Sequence, residues 1–562
     1  MIKKSKYIML LLHASLGLML FANLKCAKDP IQTSVTLDLV SKTIDGTNVG
    51  ESTNYNISRS AVIKISFSTP VKRSSVEGAI TFKNKANNLP VSFNIDFENK
   101  DSTVVIQAIS ELQYLTQYSV LVSTDLNSSA DGFLLNKADI TFMTQLDESD
   151  KFPRISDEAL LDLVQKQTFK YFWDFGHPIS GLARDKTNSD DNDCSIGGSG
   201  FGIMNITVAV SRNFISRNDG LMRMQKIVGF LKTKAVRFHG AFPHRINGST
   251  GAVITWSAKD DGADLVETSF MMMGLLTARQ YFSGEGLDEV NLRNDINSLY
   301  HEVEWDWFTR GENQLYWLWS PNFGWDISFK IKGWNETLIS YVLAASSPSH
   351  AISKASYDNG FASNGGMKNG NKFYDVLLPL GENYGGCLFL SQYSFMGINP
   401  NGLSDAYAQY DVQIKNHALI NYKYCIDNPV GYNMYSDSCW GLTACATRGR
   451  TYTTCSPTND NGTIAPTAAL SSFPFTPAES MKALNYFYYK LGDKLWGEYG
   501  FADSFEFSSG PVWVADQYLV YDQGPIICMI ENYRTGLPWN LFMSCPEVKA
   551  GMKDLGFSGP NL

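Results

Sequence analysis

Residues 262–273 read Gly262-Ala263-Asp264-Leu265-Val266-Glu267-Thr268-Ser269-Phe270-Met271-Met272-Met273. After Glu267 the run is apolar on every side, and a helix that is hydrophobic all round is a buried one. Glu267 therefore stands near the mouth of a buried element. A carboxyl partly desolvated there has a raised pKa, as a general acid requires. The plainer reading is a first-turn Glu favoured by the helix dipole.

Outward from this stretch the same period continues. After Phe152-Pro153, Leu160, Leu161, Val164, Tyr171 and Phe172 recur at helical spacing. Further helices are expected near 203–215, 219–235, 287–308, 333–346, 404–425, 476–491 and 522–536. About ten amphipathic helices with few strand signals predict a mainly α fold, an (α/α)6 toroid, with a cleft where inner-helix loops gather.

Residues 30–145 carry a different period. Val62-Ile63-Lys64-Ile65-Ser66-Phe67, Val91 to Ile95, Thr103 to Ile106, Tyr118 to Val122 and Ile140-Thr141-Phe142 alternate apolar and polar positions between polar turns. Period two at this spacing predicts a small antiparallel β-sandwich. It is similar to bacterial Ig-like modules. Asp147 to Lys151 is a charged linker. The expected division is a targeting segment over 1–25, a sandwich over 26–147 and a helical domain over 148–562.

The N-terminus has a basic region, Lys3, Lys4 and Lys6, then a mostly apolar run from Ile8 to Leu24. This reads as a secretory signal. Cys26 follows it and is a candidate lipid-bearing residue; ordinary cleavage with an incidental Cys26 is the alternative. Export to the periplasm or outer-membrane anchoring is the expected location. Eight further Cys remain, four of them at Cys425, Cys439, Cys445 and Cys455. Export permits disulfides there, and buried thiols are the other reading.

Composition narrows the function. The net charge is −9, with no basic stripe, which argues against nucleic acid as a partner. The seven His form no zinc-ligand spacing, so no metal site is expected. The glycines at 197–202 make neither GxGxxG nor a phosphate loop. Aromatics reach 13%, a bias that suits flat sugar rings as well as cores.

Glycoside hydrolysis needs a proton donor and a second carboxylate. Glu267 is the leading acid. Asp460, in Asn459-Asp460-Asn461-Gly462, stands in a turn that is also a common structural device. Asp185 and Asp191 belong to an acidic loop that starts at Arg184 and whose plainer reading is a solvated surface. Trp319, Trp325 and Trp334, next to Pro, Gly and Asn, are candidate sugar contacts, followed by Asn335 and Glu336. His239 and His244 could bond hydroxyls.

Together these segments resemble glycoside hydrolase family 144, the bacterial β-1,2-glucanases, within the glycoamylase-like group. The strings that carry it include SGLARD (180–185), GGSGFGIMNI (197–206), FHGAFPH (238–244), DLVETSFMMMGLL (264–276), YWLWSPNFGW (316–325), APTAALSSFPFTPAESM (465–481) and YLVYDQGPI (518–526). The resemblance implies an (α/α)6 toroid without cofactor that hydrolyses β-1,2-glucan to sophorose or short sophorooligosaccharides with inversion. It implies Glu267 as acid, with Asp460, Asp185 or Asp191 as base. Arg184, His244, Trp319, Trp325, Trp334, Asn335 and Glu336 are the expected substrate contacts, and a monomer the expected state. A polysaccharide lyase and a non-catalytic glycan-binding lipoprotein are the alternatives.

Overall fold

The computed structural model describes residues 36–562. The basic and apolar N-terminal segment and Cys26 lie outside the described residues. The first unit contains β1 (Leu39–Ile44), β2 (Thr47–Asn48), β3 (Asn54–Ile57), β4 (Val62–Phe67), α1 (Arg73–Ala79), β5 (Ile80–Asn84), β6 (Phe93–Glu98), β7 (Thr103–Ala108), β8 (Gln117–Val122) and β9 (Ala138–Thr144). Two sheets form, in the orders β2-β1-β4-β7-β6 and β3-β9-β8-β5. Alternation does the work: Ile63, Ile65 and Phe67 of β4 meet Val120, Val122, Ile140 and Phe142 in one core. The pairs are antiparallel except β3 with β9.

This sandwich is fastened to the second unit. The Tyr55 hydroxyl donates to the Ser508 carbonyl at 2.8 Å, and Lys490 pairs with Asp150 of the linker at 2.9 Å. Met143 and Leu146 enter a core made mostly of toroid side chains.

The second unit is helical: α2 (Asp157–Trp173), α3 (Ile196–Ser211), α4 (Arg217–Thr233), α5 (Leu265–Tyr281), α6 (Leu287–His301), α7 (Leu338–Ala345), α8 (Lys354–Asn359), α9 (Tyr410–Asp427), α10 (Pro466–Leu470), α11 (Pro477–Asn485), α12 (Gly492–Leu495), α13 (Val520–Arg534), α14 (Leu537–Phe542) and α15 (Pro546–Leu555). α3, α5, α7, α10 and α13 are buried along nearly their whole length. α2, α4, α6 and α9 bury one face only, as outer helices do. α3 packs on α5 and α13, and α13 on α2. The result is an α/α-packed, toroid-like arrangement.

The helix α3 begins at Ile196, earlier than its apolar period announces, and takes in the glycine run. Packing explains this. A Cβ on Gly200 would lie 2.2 Å from the Phe270 carbonyl, and one on Gly274 would lie 2.2 Å from the Gly200 carbonyl. The two inner helices touch backbone to backbone, which only glycine permits. The eight Cys at 194, 387, 425, 439, 445, 455, 528 and 545 are buried free thiols. Among the described residues, no helix is long and apolar enough to cross a membrane.

Candidate active site

The inner helices α3, α5, α7 and α13 all start at one end of the toroid, and a cavity of about 420 Å³ opens there. Its wall is assembled from the first turns of these helices and from the segments that lead into them. Asp185 and Lys186 precede α3; His244 and Arg245 precede α5; Glu267 and Phe270 belong to α5; Glu336 precedes α7; Tyr521 opens α13. Helix N-termini present unpaired N–H groups, so polar and anionic groups are held there by the backbone itself.

Glu267 shows how. Asp264 caps α5, its Oδ1 accepting from the Val266 and Glu267 amides at 3.0 and 2.9 Å. Its other oxygen accepts from His244 Nδ1 at 3.0 Å. The short strand Ala263–Asp264 pairs with Leu318–Trp319, which fixes the cap. Glu267 Oε2 accepts from the Gly197 amide at 2.8 Å and from the Tyr521 hydroxyl. Tyr521 in turn accepts from Ser195 Oγ at 2.7 Å. Both donors meet Oε2, and Oε1 has no hydrogen-bond partner among the described residues.

Burial pushes Glu267 up to about 7, with Asp264 adding to the rise and His244, Tyr521 and Gly197 opposing it. Burial opposes charge on His244, yet Glu267 and Asp264 beside it raise the imidazole to about 9. A cation therefore stands beside a carboxyl that gains and loses its proton near neutrality. His244, Asp264 and Glu267 bring ligand atoms within 4.8 Å of one another. Asp264 already serves two amides and the imidazole, so this trio is built as a charge-paired group.

Asp185 is buried in the same wall, 3.6 Å from the Arg245 guanidinium, which also holds Asp193 at 2.6 Å. Burial raises Asp185, and Arg245, His244 and Lys186 oppose the rise. Among the described residues no cation stands at ion-pair distance from Glu336, and burial lifts it to about 7.

Of the residues expected from sequence, Glu267, Asp185, His244 and Glu336 meet in this cavity. The others lie elsewhere. Asp460 Oδ1 accepts from the Tyr435 hydroxyl at 2.8 Å and the Gly462 amide at 3.0 Å, which makes it the organiser of its own turn. Asp191 is exposed at the surface, 3.9 Å from Arg184. Arg184 is occupied with the Asp191 and Phe175 carbonyls. Trp319 packs among Phe238, His239 and Trp307, and Trp325 among Trp307, Phe308 and Tyr316. Trp334 is buried against Phe361, Phe395 and Tyr410. Asn335 Oδ1 accepts from the Thr337 amide at 3.1 Å, just ahead of α7. His239 bonds Glu304 at 2.9 Å and stacks on Trp307.

Of the other cavity residues, Trp317 falls inside the marked string YWLWSPNFGW, whereas Trp256, Phe389, Tyr393 and Tyr452 carry no local sequence signal and come from loops or short elements. Behind the wall, Asp503 and Asp522 are buried neighbours. Asp503 Oδ2 accepts from the Ala446 amide at 2.7 Å, while its Oδ1 and Asp522 Oδ2 meet no other donor group among the described residues. Burial and the neighbouring Asp503 carboxyl raise Asp522 well above the usual range, so the pair retains a proton. Asp522, inside YLVYDQGPI, falls in a stretch that sequence reading had marked.

Comparisons with known proteins agree with this architecture. The Glycoamylase family model matches residues 328–546, and the bacterial Ig-like domain model matches 43–144. The exo-β-1,2-glucooligosaccharide sophorohydrolase (non-reducing end) of Parabacteroides distasonis is 44% identical over 423 residues, 71% of this chain. The match spans 58% of that relative's length. The endo-β-1,2-glucanase of Chitinophaga pinensis, solved with sophorotriose and glucose, is 46% identical at a TM-score of 0.71. That match covers 73% of this chain and all of the other. A β-1,2-glucanase structure from Parabacteroides distasonis is 36% identical at a TM-score of 0.69, covering 92% of this chain and 73% of the other. The chain belongs to the glycoamylase-like β-1,2-glucanases, glycoside hydrolase family 144, with a bacterial Ig-like domain ahead of its helical toroid.

Proposed function

We propose that this protein is a glycoside hydrolase that cleaves β-1,2-glucan to sophorose or short sophorooligosaccharides with inversion. The observation that carries the reading is the state of Glu267. It lines the cavity, is raised by burial to about 7, and keeps one oxygen clear of protein donors. That is a carboxyl able to hold a proton at neutral pH and to deliver it to a glycosidic oxygen.

The second carboxylate has to be ionised to take a proton from the attacking water. Asp185 has Arg245 beside it, which opposes the rise that burial imposes; Glu336 has no such cation. We therefore assign water activation to Asp185, directly or through sugar hydroxyls, and sugar-hydroxyl binding to Glu336. His244, as an imidazolium, steadies Glu267 after it has given up its proton.

A lyase on uronates needs a cation to neutralise the substrate carboxylate. His244 and Arg245 already face Asp264, Asp185 and Asp193. Among the described cavity residues this leaves Lys186 as the one cation without a carboxylate at ion-pair distance, which gives the lyase reading less support.

The basic and apolar N-terminal segment supports export, with Cys26 as a lipid-bearing residue; we also propose domain limits at 26–147 and 148–562 and a monomer. The test is product analysis of wild type and Glu267→Gln on linear β-1,2-glucan, with β-1,3-glucan and starch as controls. Sophorose-type products from β-1,2-glucan alone, and a fall of about 10²–10⁴-fold in the variant, are expected. Intact β-1,2-glucan with wild type overturns the substrate assignment.

A further inference from the structure

Large apolar side chains exposed one at a time on a surface need no explanation. Two of them at the rim of one cavity, from unrelated elements, do. Trp256 is 54% exposed and Tyr452 is 45% exposed, and both line the cavity. Trp256 lies between the short strands Val253–Ile254 and Ala263–Asp264; Tyr452 lies on the hairpin strand Arg450–Thr454.

Trp256 is supported from beneath. Arg245 stands 4.9 Å from its ring centre and the His244 ring 4.5 Å away. Its loop is tied down on the far side, by Lys259 to Asp326 at 2.9 Å and by Asp261 to Ser320 and Asn322. From there, interactions run across the cavity. His244 neighbours Glu267, Glu267 bonds Tyr521, and the Tyr521 ring lies 6.3 Å from Tyr393. Tyr452 lines the same cavity beside this chain of neighbours. Glu267 is thus linked to Trp256 through His244 and to Tyr393 through Tyr521, and an exposed ring from a separate element stands at the rim in each of two loops.

We propose that Trp256 and Tyr452 are paired sugar-stacking platforms, one for the glucosyl unit on each side of the bond that Glu267 protonates. This rests on the hydrolase reading above. A pyranose ring offers a flat, CH-rich face, and covering an aromatic face with it removes apolar surface from water. The hydroxyls on the ring edge remain free for Asp185, Glu336 and Lys186. Because each platform binds substrate and transition state alike, its loss raises KM and spares kcat.

The experiment is steady-state kinetics on linear β-1,2-glucooligosaccharides with Trp256→Ala, Trp256→Phe, Tyr452→Ala and Tyr452→Phe. It is paired with calorimetric binding of the same oligosaccharides to each substitution placed in the Glu267→Gln background. Each Ala variant is expected to raise KM about tenfold with kcat nearly intact, and each Phe variant to recover most of the loss. Binding should weaken in parallel. If wild type turns over these substrates and the Ala variants keep its KM and affinity, the platforms are overturned while the hydrolase reading stands. If wild type shows no turnover, that reading fails and binding decides: affinity that depends on the two rings supports the platforms, and ring-independent affinity or no binding overturns them.

Discussion

The two ends of the inner helix layer treat buried carboxyls in opposite ways. At the cavity end, Glu267 has two donors on one oxygen and none on the other. At the far end, Glu531 near the close of α13 is just as buried and fully served. Arg212 donates to both its oxygens at 2.7 and 3.1 Å, Gln165 adds 3.1 Å and Thr535 adds 2.7 Å. Chemistry and architecture use the same residue type, and the number of partners separates them. A satisfied buried charge locks the fold; an under-served one stays ready to exchange a proton.

Breaking the far end should produce the largest change in stability. Glu531→Ala leaves the partly buried Arg212 with only the exposed Glu158 at 3.8 Å and strips the buried Gln165 amide of its acceptor, and about 2–3 kcal/mol of stability should be lost in chemical denaturation. Activity per folded molecule should change little; selective loss of turnover would erase the contrast.

Glu267→Gln should do the reverse. The raised pKa means that the folded state binds this proton more tightly than the unfolded chain does. The carboxylate therefore costs stability above the folded pKa, and that cost fades as pH falls from about 7 towards the ordinary value of 4.5. At pH 8 the variant should equal wild type or exceed it by about 1 kcal/mol, and at pH 4.5 the gain should vanish. A lower melting temperature at pH 8 would place Glu267 with Glu531 as a structural group.

The smallest effect sharpens the contrast at one hydrogen bond. Tyr521 opposes the rise of Glu267. Tyr521→Phe should therefore move the alkaline limb of kcat/KM upward by about half to one pH unit, because Glu267 holds its proton to higher pH. A limb that stays in place or moves down would show that another group sets it.

The periodicities were legible because they are local. Alternation over 62–67 and 103–106 specified sandwich strands, and the apolar run after Glu267 specified a buried helix. Glu267 itself was legible as a charge inside the first turn of that run, three residues after Asp264. Much of the rest of the wall was not, because residues such as Trp256 and Tyr452 are brought together by closure of the toroid from segments about 200 residues apart, and neither carries a motif of its own. Asp460 misled for a related reason: an Asn-Asp-Asn-Gly turn looks the same in sequence whether its carboxyl faces a cavity or, as here, a tyrosine hydroxyl. The tryptophans at 319, 325 and 334 were read as cleft residues from their Gly, Pro and Asn neighbours, but the aromatic density around them forms packing clusters.

The backbone contact between α3 and α5 at Gly200 and Gly274 has a consequence for how such a protein can diversify. With no side chain between the two helices at that point, their spacing there is set by main-chain contact, and this holds the Gly197 amide where Glu267 meets it. The backbone position of Glu267 is thereby set apart from the rim. Loops such as 255–261 and 448–455 can be exchanged, lengthened or shortened to admit a chain end or a chain interior without shifting that position. Libraries built on this scaffold should keep the glycines and vary the rim.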